Sequence, residues 1–181
     1  MRTFIAIDLP ENLKREISLL KVESKVFRWI PPAQIHLTVN FLGETNVETL
    51  NLLIDNLRKI KSKPFELELK SSGFLPSNRR PSVLWLGVSE SPHLLSLKKS
   101  IDSIVGALCP TFEKKQFKPH VTIARIARFD SNELERVAKS THSFRAMFHV
   151  DSFMLYSSEL RSEGAVYSRV GKFRIDETDL D

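Results

Sequence analysis

Two short segments of this 181-residue chain carry the same residue types in the same order, His36-Leu37-Thr38-Val39 and His120-Val121-Thr122-Ile123. Each is a histidine, an apolar residue, a threonine and a β-branched residue, and prolines precede each one, Pro31-Pro32 and Pro119. Five histidines and eight threonines in a chain of this length give roughly 0.2 such tripeptides by chance, so two in matching surroundings point to a shared task. In extended backbone, side chains at i and i+2 lie on one face, about 6–7 Å apart. His36 therefore shares a face with Thr38, and His120 with Thr122, while Leu37, Val39, Val121 and Ile123 pack behind. If the two strands face each other, two imidazoles and two hydroxyls line one cleft. Such a set suits a phosphodiester. One imidazole takes a proton from the attacking oxygen, the other gives one to the leaving oxygen, and the hydroxyls donate to the non-bridging oxygens as charge builds. An ordinary imidazole pKa of about 6.5 allows either role near neutral pH.

Metal ligation is the rival use of two histidines. Against it, the chain has no H-x-H and no H-E-x-x-H, and no carboxylate shares the strand face beside either histidine. His93, His142 and His149 lack matching partners and read as bystanders. Neither G-x-S-x-G nor a Gly-rich phosphate loop ending in G-K-[ST] occurs, so neither a serine nucleophile nor an ATP site is expected, and no cofactor is implied. The single cysteine, Cys109, excludes an internal disulfide and a multi-cysteine zinc site, and reads as a small buried apolar group.

The elements that must position these residues follow from periodicity. Arg2 to Leu9 is β-rich and closed by Pro10. Glu11 to Lys25 has helical spacing, Pro31-Pro32 ends any helix, and Ile35 to Leu42 alternates as a strand. Thr45 or Asn46 can cap a second helix with Leu50, Leu53, Ile54 and Leu57 on its buried stripe. Phe65 to Leu69 and Val83 to Val88 read as strands, with turns at Ser72-Gly73 and from Pro76 to Pro81. The pattern then restarts. Leu94 to Leu108 has the period of a long amphipathic helix, His120 to Ile126 reads as a strand, and Asp130 to Lys139 as a helix. Phe144 to Tyr156 and Ala165 to Ile175 read as closing strands, with Ser157 to Gly164 turning between them. The interleaving lacks a strict β-α-β rhythm and no linker divides it, which predicts an α+β fold in one domain over residues 1–181.

Hydrophobic content of 41% and charged content of 27% suit a soluble globular chain, and its length suffices for a core without staples. No signal-like start or long apolar run is present, so a soluble, cytoplasmic protein with no membrane partner is expected. The net charge of +5 favours an anionic partner, with basic clusters at Arg79-Arg80 and at Lys114, Lys115 and Lys118.

The paired motif resembles that of the 2H phosphoesterase superfamily, and within it the RNA 2′,3′-cyclic phosphodiesterases, also called 2′-5′ RNA ligases. The likeness extends to the opening strand from Arg2 to Ile7, to HLTVNFLGE over His36 to Glu44 and to PHVTIAR over Pro119 to Arg125. It also takes in Leu84-Trp85-Leu86-Gly87, and a closing Y-S-S-x-L and G-x-x-Y pattern from Tyr156 to Tyr167. What the resemblance implies is two similar lobes with antiparallel-rich sheets, related by a pseudo-twofold, with one H-x-T strand each at a central LigT-like cleft. It further implies metal-independent hydrolysis of an RNA terminal 2′,3′-cyclic phosphate to a 2′-phosphate. His36 would be the proton donor to the departing 3′ oxygen and His120 the base for water. Thr38 and Thr122 would hold non-bridging oxygens and Arg125 would add charge at the phosphate. Arg125 has the opposite strand parity to His120, so a regular strand would turn it away from the cleft. A 5′-hydroxyl in place of water would make a 2′-5′ bond without ATP. The implied partner is an RNA end, tRNA halves included, met by a monomer. Phe4 and Phe41 are the aromatic candidates for stacking on bases, against the commoner role of such a residue as part of the core.

Two other readings remain open on the residues alone. A basic RNA-end binding module would hold phosphate without turnover. A phosphodiesterase for small cyclic nucleotides would use the same pair and have no need of distant charge.

Overall fold

A computed structural model describes residues 1–76, 80–109, 112, 116–162 and 164–175. Strand β1 (Arg2–Asp8), helix α1 (Glu11–Ser18) and the short strand β2 (Phe27–Trp29) come first. A 3-10 turn (Pro32–Gln34) then leads into β3 (His36–Glu44) and α2 (Val47–Leu57). Next come β4 (Phe65–Leu75), β5 (Val83–Val88), α3 (Pro92–Leu108), β6 (His120–Ile126) and α4 (Ser131–Thr141). The chain closes through β7 (Arg145–Val150), β8 (Ser152–Arg161) and β9 (Gly164–Arg174). The sheet order is β7-β4-β5-β6-β3-β1-β8-β9, every described pairing is antiparallel, and β2 attaches to β6 alone.

The fold is α+β and its chain path is duplicated. β1-α1-β3-α2 and β5-α3-β6-α4 each run strand, helix, histidine strand, helix, and in each the two strands pair with one another. Local chemistry explains the helix starts. The side chains of Asn46, Ser91 and Asp130 accept backbone N–H groups at the first turns of α2, α3 and α4. Pro92 occupies the first turn of α3, where its missing N–H costs nothing. Leu50, Leu53 and Leu57 of α2 and Leu94, Leu97, Ile101 and Val105 of α3 join one core with Ile5, Ile7, Leu37, Leu84, Leu86 and Val121.

Four expectations need correction. The segment from Ser157 to Gly164 is not a turn throughout, because β8 runs to Arg161 and pairs with β9 from Gly164 onward. The run Phe144 to Tyr156 is two strands that part at Asp151: β7 pairs with β4 at one edge, and β8 pairs with β1 in the other half. The β-propensity of the run is continuous, so only long-range pairing separates the strands. Ser72-Gly73 is not a turn, because β4 continues to Leu75 through a register shift after Lys70, with Ser71 at φ 60°. The first helix ends at Ser18 rather than Lys25, and the segment after it crosses to β2, where the Trp29 indole N–H donates to the Val22 carbonyl at 3.1 Å. The Arg79, Lys114 and Lys115 parts of the basic clusters, and the acidic end Asp176-Glu177-Thr178-Asp179-Leu180-Asp181, lie outside the described residues. Among the described residues, no helix is long and apolar enough to cross a membrane.

Candidate active site

The two histidine strands meet at the middle of the sheet through a single register pair, Leu37 opposite Val121, both fully buried. Antiparallel geometry then sets His36 toward Thr122 and Thr38 toward His120 on the opposite face. Beyond that pair the strands are not in register, and a cleft of about 450 Å³ opens, lined by His36, Thr38, His120, Thr122 and Arg125 among others.

The parity objection to Arg125 is removed by a bulge. Trp85 pairs with Thr122 and Leu84 with Ala124, so Ile123 is an extra residue on β6. One unpaired residue reverses the alternation beyond it. Ile123 and Ala124 are accordingly both buried, and Arg125 comes round to line the cleft. β3 does the same: Ala6 pairs with Thr38 and Ile5 with Asn40, leaving Val39 as the extra residue, and Phe41 emerges into the cleft.

Both imidazoles are held alike. His36 Nδ1 lies 2.7 Å from the Gln34 carbonyl oxygen, and His120 Nδ1 lies 2.7 Å from that of Lys118. A carbonyl only accepts, so each Nδ1 carries the proton and each Nε2 is left for chemistry. His36 Nε2 stands 3.0 Å from Thr38 Oγ1. Burial pushes the His36 pKa below its ordinary value of 6.5, assisted by Lys14 and opposed by the Gln34 carbonyl and the Asp8 carboxylate. Asp8 is the cross-strand partner of His36 and accepts hydrogen bonds from the Tyr156 hydroxyl at 2.8 Å and the Arg169 guanidinium at 3.4 Å. Burial, together with that bond, pushes the Tyr156 phenol up to about 12.

The two stacking candidates separate. Phe4 is buried, at 4% exposure, and packs against His36 with ring centroids 5.0 Å apart and against Tyr156 at 5.2 Å. Its edge forms part of the cleft wall. Phe41 is 73% exposed. Sequence reasoning missed Gln34, Asp8 and Tyr167. Tyr167 meets His36 edge-on at 5.6 Å, and the Gln34 amide donates to the Ala165 carbonyl at 2.9 Å, tying β9 to the His36 strand. Tyr167 lay inside the closing motif. Asp8 and Gln34 carried no signal, because their proximity to His36 depends on strand pairing and on one turn.

On the other half, the Trp85 indole meets His120 edge-on at 6.4 Å. It lies over Gly73 and Gly87, where an added Cβ would come within 2.5 Å and 3.0 Å of the indole. A second hollow of about 550 Å³ shares Thr38, Phe41 and His120 with the cleft and extends past Lys98, Phe112 and Phe117. Among the described residues no group of three or more His, Cys, Asp or Glu side chains is placed to hold a metal. His149 bonds Glu66 and His93 stacks on Phe65, both at β4 and away from the cleft.

Comparison with known proteins agrees with this arrangement. The family model for LigT like phosphoesterases matches the chain twice, over residues 7–85 and 86–167, one match for each histidine strand. A protein of Aquifex aeolicus named RNA 2′,3′-cyclic phosphodiesterase is 33% identical over 172 residues, covering 92% of this chain and 89% of that one. A protein of the same name from Archaeoglobus fulgidus is 31% identical, covering 96% and 99%. Among solved structures, one from Thermus thermophilus superposes with a TM-score of 0.79 at 27% identity, covering 97% of this chain and 98% of that one. The fold is also that of Escherichia coli LigT complexed with 3′-AMP, with a TM-score of 0.80 at 24% identity over 97% and 98% of the two chains. The duplicated histidine strands, the fold they sit in and the two-fold match of the family model lead to one conclusion: this chain belongs to the LigT-like phosphoesterases.

Proposed function

We propose that this protein hydrolyses the 2′,3′-cyclic phosphate at an RNA end to a 2′-phosphomonoester, using His36 and His120 as acid and base without a metal ion. The observation that carries the reading is the matched pinning of both imidazoles, which leaves two Nε2 atoms for one cleft. Support for the substrate comes from the relatives named RNA 2′,3′-cyclic phosphodiesterase over nearly their whole length.

In this reading His120 Nε2 takes a proton from water as the water oxygen bonds to phosphorus. The bond from phosphorus to O3′ breaks, and protonated His36 gives its Nε2 proton to O3′. The products are a 2′-phosphate and a free 3′-hydroxyl, and proton exchange with solvent resets the pair. The hydroxyls of Thr38 and Thr122 and the Arg125 guanidinium face the charge that gathers on the non-bridging oxygens. The choice of which histidine is the acid follows the family resemblance. Burial disfavours protonated His36 in the free enzyme, and in this reading the charge of a bound phosphate favours it again, so the acid form belongs to the complex.

The same chemistry with a 5′-hydroxyl in place of water joins two RNA ends through a 2′-5′ bond. The second hollow beside His120 offers room for that end. Water is abundant, so hydrolysis dominates unless RNA structure brings the ends together.

Phosphorus NMR of an RNA oligomer ending in a 2′,3′-cyclic phosphate, with protein in excess EDTA, tests the proposal. Conversion to a 2′-monophosphate is expected. A 3′-monophosphate would reverse the leaving group, and reaction only after divalent metal is added would turn the histidines into ligands. No reaction under either condition would leave a binding module or another substrate.

A further inference from the structure

Strand β2 stands outside the duplicated strand-helix-strand-helix path, and among the described residues between α3 and β6 the second unit has no counterpart to it. Its three residues pair with β6 alone: Phe27 with Ile126, Arg28 with Arg125, and Trp29 with Ala124. Phe27 is buried in the core, and the Trp29 indole N–H is bonded to the Val22 carbonyl, so the backbone of β2 is held from behind. The hydrogen bonds from the Ile30 N–H to the Ile123 carbonyl at 2.9 Å and from the Ala127 N–H to the Val26 carbonyl at 2.7 Å close both of its ends. What this strand presents outward is Arg28.

Two observations put Arg28 on the same sheet face as the cleft, just outside the residues that line it. Directly opposed residues of an antiparallel pair share a face, and its partner Arg125 lines the cleft. Ile30, two residues along, lines the cleft as well. Two arginines therefore oppose each other across a strand pair, about 5 Å apart at Cβ. Like charges so placed destabilise a sheet unless an anion lies between them or beside them. Among the described residues no carboxylate is placed within 4.0 Å of either, as is also true of Arg2, Arg15, Arg80, Arg128 and Arg174.

The position gives the pair a direction. Arg125 extends β6 past Thr122, on the side where Thr122 faces His36, and β2 joins that same end. At the equivalent offset past Thr38, toward His120, the chain carries exposed Phe41 instead. The Arg125 end of the cleft has Arg28 beside it, and the Phe41 end is aromatic with Arg2 in its lining. If His36 protonates O3′, the ribose of the terminal nucleotide lies at the His36 end, and the next phosphate along the RNA leaves from that ribose.

We infer that Arg28 holds the phosphate that links the terminal nucleotide to its 5′ neighbour, so that this enzyme favours an RNA end over a mononucleotide cyclic phosphate. The inference rests on the proposed hydrolysis and adds to it the residue that selects a polynucleotide. Guanidinium suits the task because it binds phosphate oxygens bidentately and keeps its charge at every working pH.

The test compares wild type, Arg28→Ala, Arg28→Lys and Arg28→Glu on two substrates, a trinucleotide ending in a 2′,3′-cyclic phosphate and a mononucleoside 2′,3′-cyclic phosphate. Melting curves confirm that each variant folds. The expected result is a fall of about tenfold in the trinucleotide-to-mononucleotide ratio of kcat/KM for Arg28→Ala, a larger fall for Arg28→Glu and partial recovery for Arg28→Lys. The slope of log kcat/KM against log salt for the trinucleotide should become shallower by about 0.7 in Arg28→Ala. Equal losses on both substrates, no loss on either, or a wild type with no preference for the trinucleotide would each overturn the inference. A wild type that opens neither substrate would instead overturn the proposed hydrolysis.

Discussion

Val39 and Ile123 are the same structural device used twice: each is the unpaired residue of a bulge, three positions past the histidine of a paired motif, and each turns the residue two places further on into the cleft. That residue is Phe41 on one strand and Arg125 on the other, so a symmetric framework delivers two different groups. Arg125 is exposed and bears no core packing, so Arg125→Ala should leave the melting temperature within a degree or two while kcat/KM falls by about 10- to 100-fold, the scale of a lost charge-assisted hydrogen bond. Arg125→Lys should recover part of it. A full-activity Arg125→Ala would take the residue out of the phosphate site.

Either His36→Ala or His120→Ala should cost at least about 10²-fold in kcat, and the double variant should lose little more than the worse single one, because a positioned acid and base act as a unit. Single-turnover assays on the cyclic-phosphate RNA read this directly. Turnover close to wild type in either single variant would end the two-histidine mechanism.

Burial lowers the His36 pKa in the free enzyme, so its protonated form is lost as pH rises through a value below 6.5. A bound phosphate raises that value. The alkaline limb of kcat, which reports the complex, should therefore lie at higher pH than the alkaline limb of kcat/KM, which reports the free enzyme. Coincident limbs would remove His36 from the acid role. The sign for stability is the same: between the lowered value and 6.5 the unfolded chain binds more protons than the folded one. His36 therefore weakens folding as pH falls through that window, and melting curves at pH 5 and 7 should converge in His36→Gln.

Phe4 and Phe41 make a paired prediction. Phe4 is buried against His36 and Tyr156, and Phe4→Ala should cost about 3–5 kcal/mol of stability by denaturant unfolding. Phe41 is 73% exposed, so Phe41→Ala should leave unfolding within about 0.5 kcal/mol of wild type and raise KM for RNA. An unchanged KM would make Phe41 a surface residue without a role at the cleft.

Gly73 makes room for the Trp85 indole, which in turn borders His120. Gly73→Ala sets a Cβ 2.5 Å from a rigid ring. The variant should lose about 1–3 kcal/mol of stability and some kcat together, as Trp85 shifts under His120. Retained stability would mean that β4 yields instead.

Much of the site was legible in the sequence because its signals are local. The i, i+2 spacing placed each histidine with its threonine, the apolar residues between them marked the buried face, and Asn46 offered a helix start through its own side chain. The duplication itself is a local signal stated twice. Tertiary structure decided everything that depends on which strand lies beside which. How Arg125 reaches the cleft was not legible, because a bulge is defined by the partner strand, and nothing within HVTIAR distinguishes a bulged Ile123 from a regular one. The run from Phe144 to Tyr156 divides because its two halves find partners on opposite sides of the sheet. Asp8 beneath His36 and Arg28 beside Arg125 are pairs 28 and 97 positions apart in the chain. Residue types determined the chemistry this protein can perform, whereas strand register, a long-range property settled by packing, determined which charges surround it.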